Sequence, residues 1–147
     1  MKKKFMDIAL DEAKLAMEKD EVPVGAVIVR NGEIIASAHN LRETLNDPTA
    51  HAEMLAIKKA SSVLKNWRLN ECEMYITLEP CPMCAGAIIQ SRIRKIYIGT
   101  IDPSAGCCGS VLNLTENIYL NTALGVKWFN DNRCSEILIN FFKSKRK

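Results

Sequence analysis

Apolar residues recur along this chain with two periods, and the switches between them set out its elements. Phe5, Ile8, Ala9, Ala13 and Ala16 follow three-and-four spacing and predict an amphipathic helix over residues 4–19. The run from Glu21 to Val29 reads as a strand, with Pro23 marking a bulge or an edge because proline cannot donate to a ladder. Asn31-Gly32 has the chemistry of a type I′ turn, so Glu33–Ala38 returns as the second strand of a hairpin. After a polar loop over His39–Asn46, Asp47 suits an N-cap and Pro48 a first helical position, predicting a helix from there to about Ala60. Glu73–Leu78 is a third strand, Pro82 opens a helix through Ile89, and Lys95–Gly99 is a fourth strand. A glycine-containing loop, Asp102–Gly109, precedes a stretch over 110–124 read as a short helix and an irregular connection. Val126–Phe129 is a fifth short strand, and Asn132–Phe142 a closing helix with Cys134, Ile137, Leu138 and Phe141 on one face. Strands alternating with helices after an opening hairpin predict an α/β fold: a three-layer α/β/α sandwich around a mixed five-stranded sheet.

The 147 residues predict a single domain spanning 1–147, able to bury roughly 70% of its unfolded surface. No apolar run approaches the ~20 residues of a membrane helix. Lys2, Lys3 and Lys4 make a basic start, but Asp7, Asp11 and Glu12 break up the apolar residues after it, which argues against a signal peptide and for a cytoplasmic location. The six cysteines are then expected to stay reduced. Cys81 and Cys84 alone have ligand-like spacing; Cys72, Cys107, Cys108 and Cys134 read as small buried hydrophobes.

The net charge of +3 conceals an asymmetry. Lys2–Lys4 at one end and Lys143, Lys145, Arg146 and Lys147 at the other hold seven of the 20 basic residues, leaving 13 basic against 17 acidic between them. Attraction for a polyanion would come mainly from the two tails, although terminal lysines are commonly just solvated charge.

The chemistry concentrates in His51-Ala52-Glu53 and Pro80-Cys81-Pro82-Met83-Cys84. One histidine and two cysteines can hold zinc while leaving a fourth tetrahedral position open, and a carboxylate beside it can move protons. His51 and Glu53 would diverge by ~200° in the middle of a helix, so they cooperate only near a helix start. Cys81 and Cys84, at i and i+3, share one side of the first turn that Pro82 begins. Both halves are thus expected at helix N-termini, where free N–H groups and the dipole favour the thiolate that zinc requires. Two thiolates and a neutral imidazole cancel the metal's charge, so a carboxylate base is especially useful. Glu53 would take a proton from attacking water and pass it to a substrate with an electron-poor ring carbon. Either half alone says little. A Cys-x-x-Cys can be half of a structural zinc site completed by His39 or another cysteine, or a thioredoxin-like redox pair.

Together these motifs resemble the zinc-dependent nucleobase deaminase superfamily. Glu21-Val22-Pro23-Val24-Gly25-Ala26-Val27, Asp47–Glu53, Thr77–Ala87 and Ser91-Arg92-Ile93 are similar, within it, to the bacterial tRNA-specific adenosine deaminases, and the likeness extends over most of the chain. The resemblance implies a cytidine deaminase-like fold and hydrolytic conversion of the anticodon wobble adenosine to inosine by a homodimer with one Zn2+ per subunit. It implies that His51, Cys81 and Cys84 hold zinc and that Glu53 shuttles protons. Asn40 would hydrogen-bond the flipped purine, Val24 with Pro23 beside it would wall the pocket, and Asp102 would approach the RNA backbone. Without the resemblance, Asn40 is a loop asparagine and Asp102 a turn former before Pro103. Cys107-Cys108 replace smaller residues, and Asn121-Thr122 stands where the family often has Asn-His. The rival readings are a deaminase of free guanine, cytosine or deoxycytidylate on the same scaffold, and a non-catalytic zinc-stabilised binding module.

Overall fold

The computed structural model describes residues 2–116 and 124–146. Its elements run α1 (Lys2–Glu18), β1 (Gly25–Arg30), β2 (Glu33–His39), α2 (Ala52–Leu64), β3 (Cys72–Leu78), α3 (Pro82–Gln90), β4 (Lys95–Thr100), β5 (Gly125–Trp128) and α4 (Asn132–Lys145). The strands form one sheet in the order β2-β1-β3-β4-β5. β1 is antiparallel to both β2 and β3, whereas β3, β4 and β5 are parallel.

Strand alternation divides the core in two. Ala26 and Ile28, Met74 and Ile76, and Ile96 and Ile98 point to one face, where Ala52, Ala56 and Ala60 of α2 and Ile88 of α3 cover them. Val27, Val29, Tyr75 and Tyr97 point to the other, against Phe5, Met6, Ala9 and Leu10 of α1 and Cys134 of α4. Tyr75 and Tyr97 are opposite in the β3–β4 register and stack with ring centroids 4.3 Å apart. This is the expected three-layer sandwich, with helices on both faces of a mixed sheet.

Beyond shifts of three residues or fewer at other element ends, four differences from the sequence reading stand out. α2 starts at Ala52, not at Asp47-Pro48, because the Asp47 carboxylate accepts from the N–H (2.8 Å) and hydroxyl (2.7 Å) of Thr49 and closes a turn there. The same helix runs past Ala60 to Leu64, closed by Lys65 in the left-handed region (φ 52°). β1 starts at Gly25 rather than Glu21, so Pro23 precedes the strand, and the ladder irregularity lies between Ile28 and Val29. Residues 110–116 form turns and one bridge, Cys108 to Asn113, not a helix; the rest of the expected 110–124 helix and connection, through residue 123, lies outside the described residues, as does Asn121-Thr122.

Gly25 sets the approach of α1 to the sheet. A Cβ there would lie 1.9 Å from the Ala9 carbonyl oxygen, a backbone atom that cannot swing aside. The Gly25 N–H meanwhile donates to the Thr77 hydroxyl (3.1 Å), fastening the start of β1 to the end of β3. Gly25→Ala is therefore expected to destabilise the protein by about 3 kcal/mol or more, measured by chemical denaturation with the metal-free protein as reference.

Candidate active site

The strand directions bring one set of chain ends together. β3 and β4 run parallel, so the segments after Leu78 and Thr100 leave the sheet at the same edge. β1 is antiparallel to β3, so its start lies at that edge too, and β2 ends beside it with His39 opposite Gly25. Crevices at the carboxyl ends of parallel strands are where open α/β sheets bind ligands. Here the edge gathers Val24, Asn40, Cys81 and Asp102 around a cavity of about 180 Å³, with His51 and Glu53 at its wall.

His51 and Cys81 occupy equivalent positions. Each is the N-cap of a helix in extended backbone, His51 at φ −76°, ψ 155° and Cys81 at φ −75°, ψ 175°. Their carbonyls accept the first helical bonds, from Leu55 (3.0 Å) and Ala85 (2.8 Å). Neither side chain caps its own helix, so both remain free to turn toward a shared point. His51 Nδ1 lies 3.7 Å from Cys81 Sγ and 3.5 Å from Cys84 Sγ. Tetrahedral zinc with ordinary bond lengths would place nitrogen and sulfur ligands ~3.6 Å apart, so the three groups fit the ion. Among the described residues, these three are the one cluster of potential metal ligands.

The two thiols are pushed apart in acidity. The Cys84 thiol hydrogen-bonds Cys81 and holds it down, to about 4, with His51 and the Cys84 N–H of the first helical turn acting in the same direction. That contact and burial push Cys84 far up. Cys81 is thereby held toward the thiolate, and the leading cause is the neighbouring thiol rather than the helix end. Zinc binding must displace the second proton, so metal affinity rises with pH.

Glu53 lies in the first turn of α2, buried beside the cysteine pair. Desolvation raises it from 4.5 to about 7, the Cys81 thiolate adding to the shift. His39, the alternative fourth ligand, is engaged elsewhere. Lys19 Nζ can only donate, which makes His39 Nε2 (2.9 Å) an acceptor and leaves Nδ1–H to donate to Glu12 (2.7 Å).

Asn40 is buried, accepting from the Arg42 N–H (3.1 Å) and donating to the Val22 carbonyl (3.3 Å), which leaves one donor and one lone pair for a ligand. Val24 walls the cavity together with Val22, and Pro23 is buried between them in sequence. Asp102 lines the cavity, while its Oδ1 accepts from Ser104 N–H (3.0 Å) and hydroxyl (2.7 Å), as a turn former does. Arg42, Leu78 and Ala105 also line the cavity and escaped the sequence reading. Arg42 alone left a trace, a cation two residues after Asn40. Two wider grooves continue from this mouth along the end of α4, lined by Phe142, Lys143, Lys145 and Arg146.

Burying a carboxylate is costly, and the sign is fixed. A group raised in the folded state contributes stability below its unfolded pKa and loses it as pH rises through the folded value. Metal-free Glu53→Gln should match the wild type near pH 4.5 and exceed it by on the order of 3 kcal/mol above pH 8, read from denaturant midpoints across that range.

The comparisons agree with this geometry. The family model for the cytidine and deoxycytidylate deaminase zinc-binding region matches residues 1–100. The tRNA-specific adenosine deaminase of Bacillus subtilis is 50% identical over 144 residues, covering 97% of this chain and 89% of that one. A solved structure from work on A-to-I editing by tRNA:A34 deaminases superposes with a TM-score of 0.89 at 42% identity, over 92% of this chain and 99% of that chain. A guanine deaminase structure from Bacillus subtilis reaches a TM-score of 0.64 at 42% identity, over 67% of this chain and 64% of that chain. With its His-Cys-Cys cluster and buried glutamate, the chain belongs to the zinc-binding cytidine and deoxycytidylate deaminase family.

Proposed function

We propose that this chain is a single-domain hydrolytic deaminase that converts the wobble adenosine of a tRNA anticodon to inosine. Its substrate comes from its relatives, tRNA-specific adenosine deaminases that match nearly its whole length. The observation that carries the reading is a three-ligand metal cluster beside a buried carboxyl, at the floor of a cavity that opens onto a basic groove.

When bound, zinc would supply a Lewis acid that polarises an attacking water. Glu53 would take the proton from that water and deliver it to the purine ring as oxygen bonds to C6; it would then take the proton of the new hydroxyl and pass it to the amine, so that the C–N bond breaks, the C6 carbonyl forms and ammonia leaves. Asn40 orients the base through its free donor and lone pair. Val22 and Val24 form an apolar wall that excludes water. Extruding the base costs a few kcal/mol, least in an unstacked loop such as an anticodon. Lys143, Arg146 and Arg42 around the mouth can meet the flanking phosphates, and Phe142 offers a face for a neighbouring base.

The proposed enzyme is a cytoplasmic homodimer. No helix among the described residues is long and apolar enough to cross a membrane. On α2 and α3, Met54, Ile57, Met83, Ala87 and Ile89 are only partly covered, apolar surface suited to a second copy. Ile89→Glu should convert a dimer to a monomer in sedimentation equilibrium; an unchanged mass would place the interface elsewhere.

The function is tested with an anticodon stem-loop carrying a wobble adenosine, offered in parallel with free guanine, cytosine and deoxycytidylate. The expected products are inosine and ammonia from the stem-loop alone. The guanine deaminase fold neighbour makes turnover of the free bases only the outcome that would replace the RNA substrate while keeping the zinc chemistry. Glu53→Ala should retain one zinc per chain and lose at least about a hundredfold in kcat; undiminished turnover would remove Glu53 from the mechanism, whereas a wild type that binds zinc and turns over none of the substrates would be a zinc-stabilised binding module.

A further inference from the structure

The cavity is lined by a second carboxyl, Glu79, which lies two residues before a zinc ligand and is 2% exposed. Its hydrogen bonds separate its role from that of Glu53. Oε1 accepts from the Asp102 N–H (2.9 Å) and the Ser110 hydroxyl (2.5 Å). Oε2 accepts from the N–H groups of Cys108 (2.9 Å) and Ser110 (3.1 Å). A carboxylate has about four lone-pair sites, so none remains for a substrate or a travelling proton.

These bonds suspend residues 102–110 from the end of β3. The Cys107 N–H adds a fifth attachment, to the Pro80 carbonyl (2.8 Å), next to Cys81. Gly106 lies directly over the carboxyl, where a Cβ would come within 2.3 Å of Glu79 Cδ. The suspended segment has one function-facing surface. Asp102 and Ala105 form a wall of the cavity, and Asp102, Pro103 and Ser104 continue into the groove beside Phe142, Lys143 and Arg146.

We infer that Glu79 is a positioning residue: its carboxylate holds the 102–110 loop in the form that receives the RNA strand flanking the target base. The inference rests on the proposed RNA substrate. A glutamine is nearly isosteric yet cannot replace it. One of its two termini is an NH2 group, and each oxygen position of Glu79 faces at least one fixed backbone N–H, so at least one donor would meet a donor.

The test compares wild type, Glu79→Gln and Gly106→Ala, the last displacing the same carboxyl without removing it. In zinc-loaded protein without RNA, amide exchange at Asp102, Cys108 and Ser110 should accelerate at least about tenfold in both variants, with β3 and α2 amides unchanged. With the stem-loop, KM should rise about tenfold or more while kcat stays within about threefold and zinc content stays at one per chain, the pattern of lost binding rather than lost chemistry. Unchanged exchange would show that Glu79 does not anchor the loop. Faster exchange with unchanged KM would show that the loop does not receive the RNA. Loss of zinc or a fall confined to kcat would make Glu79 a support of the metal ligands, and each of these results overturns the inference. If Glu79→Gln does not fold, Gly106→Ala carries the same readings. A wild type inactive on the stem-loop would instead refute the substrate, and the exchange measurement would still decide the anchor.

Discussion

Thirty residues separate His51 from Cys81, and it is the pairing of β1 with β3 that cancels the distance. The strand register brings the two connections out at one sheet edge, and each then turns into a helix whose N-cap is a proposed ligand. Everything at the site inherits its position from that register. The alternating core residues hold it: moving β3 by one residue would turn Tyr75 into the face occupied by Met74 and Ile76, and the ligand-bearing loop with it. Helix starts are also well chosen for this purpose. An N-cap residue has a fixed backbone and a side chain with no obligation to its own helix, so it can be aimed.

The chemistry was legible because it is local. His-x-Glu and Cys-x-x-Cys fix their own geometry once a helix start is supplied, and Pro82 supplied one openly. The start of α2 was not legible in the same way. Asp47-Pro48 carries every sign of a helix N-terminus, but an aspartate can satisfy nearby N–H groups in a turn as readily as in a cap, and Thr49 with its additional hydroxyl tips the choice. The error was four residues, yet it moved His51 from inside the first turn to the N-cap, the position from which it meets both sulfurs.

What the sequence could not disclose are contacts between distant segments. Glu79 finds its partners 23 to 31 residues downstream, and no spacing rule reaches that far. Glu21 does the same for the loop after β2, where it is buried and accepts from the N–H groups of Glu43 (3.0 Å) and Thr44 (2.5 Å). Both lie in stretches that read as strand or motif flank, where a glutamate passes for a solvated charge. The cavity is thus bounded by two loops, each held from beneath by a buried carboxylate.

The central placement of β3 has a consequence for how the site comes into being. β3 lies between β1 and β4, and two of the three proposed ligands, Cys81 and Cys84, follow from its end. A ribosome-bound chain carries all three ligands once Cys84 has emerged, but the strand that aims two of them lacks its second neighbour until Thr100 is out. Metal captured before then would meet an imidazole at the start of α2 and a dithiol whose strand is not yet flanked on both sides. Metal captured afterwards clamps strands from both halves of the sheet, so its release is coupled to global rather than local opening. Zinc bound there would record that the sheet has been completed as far as β4.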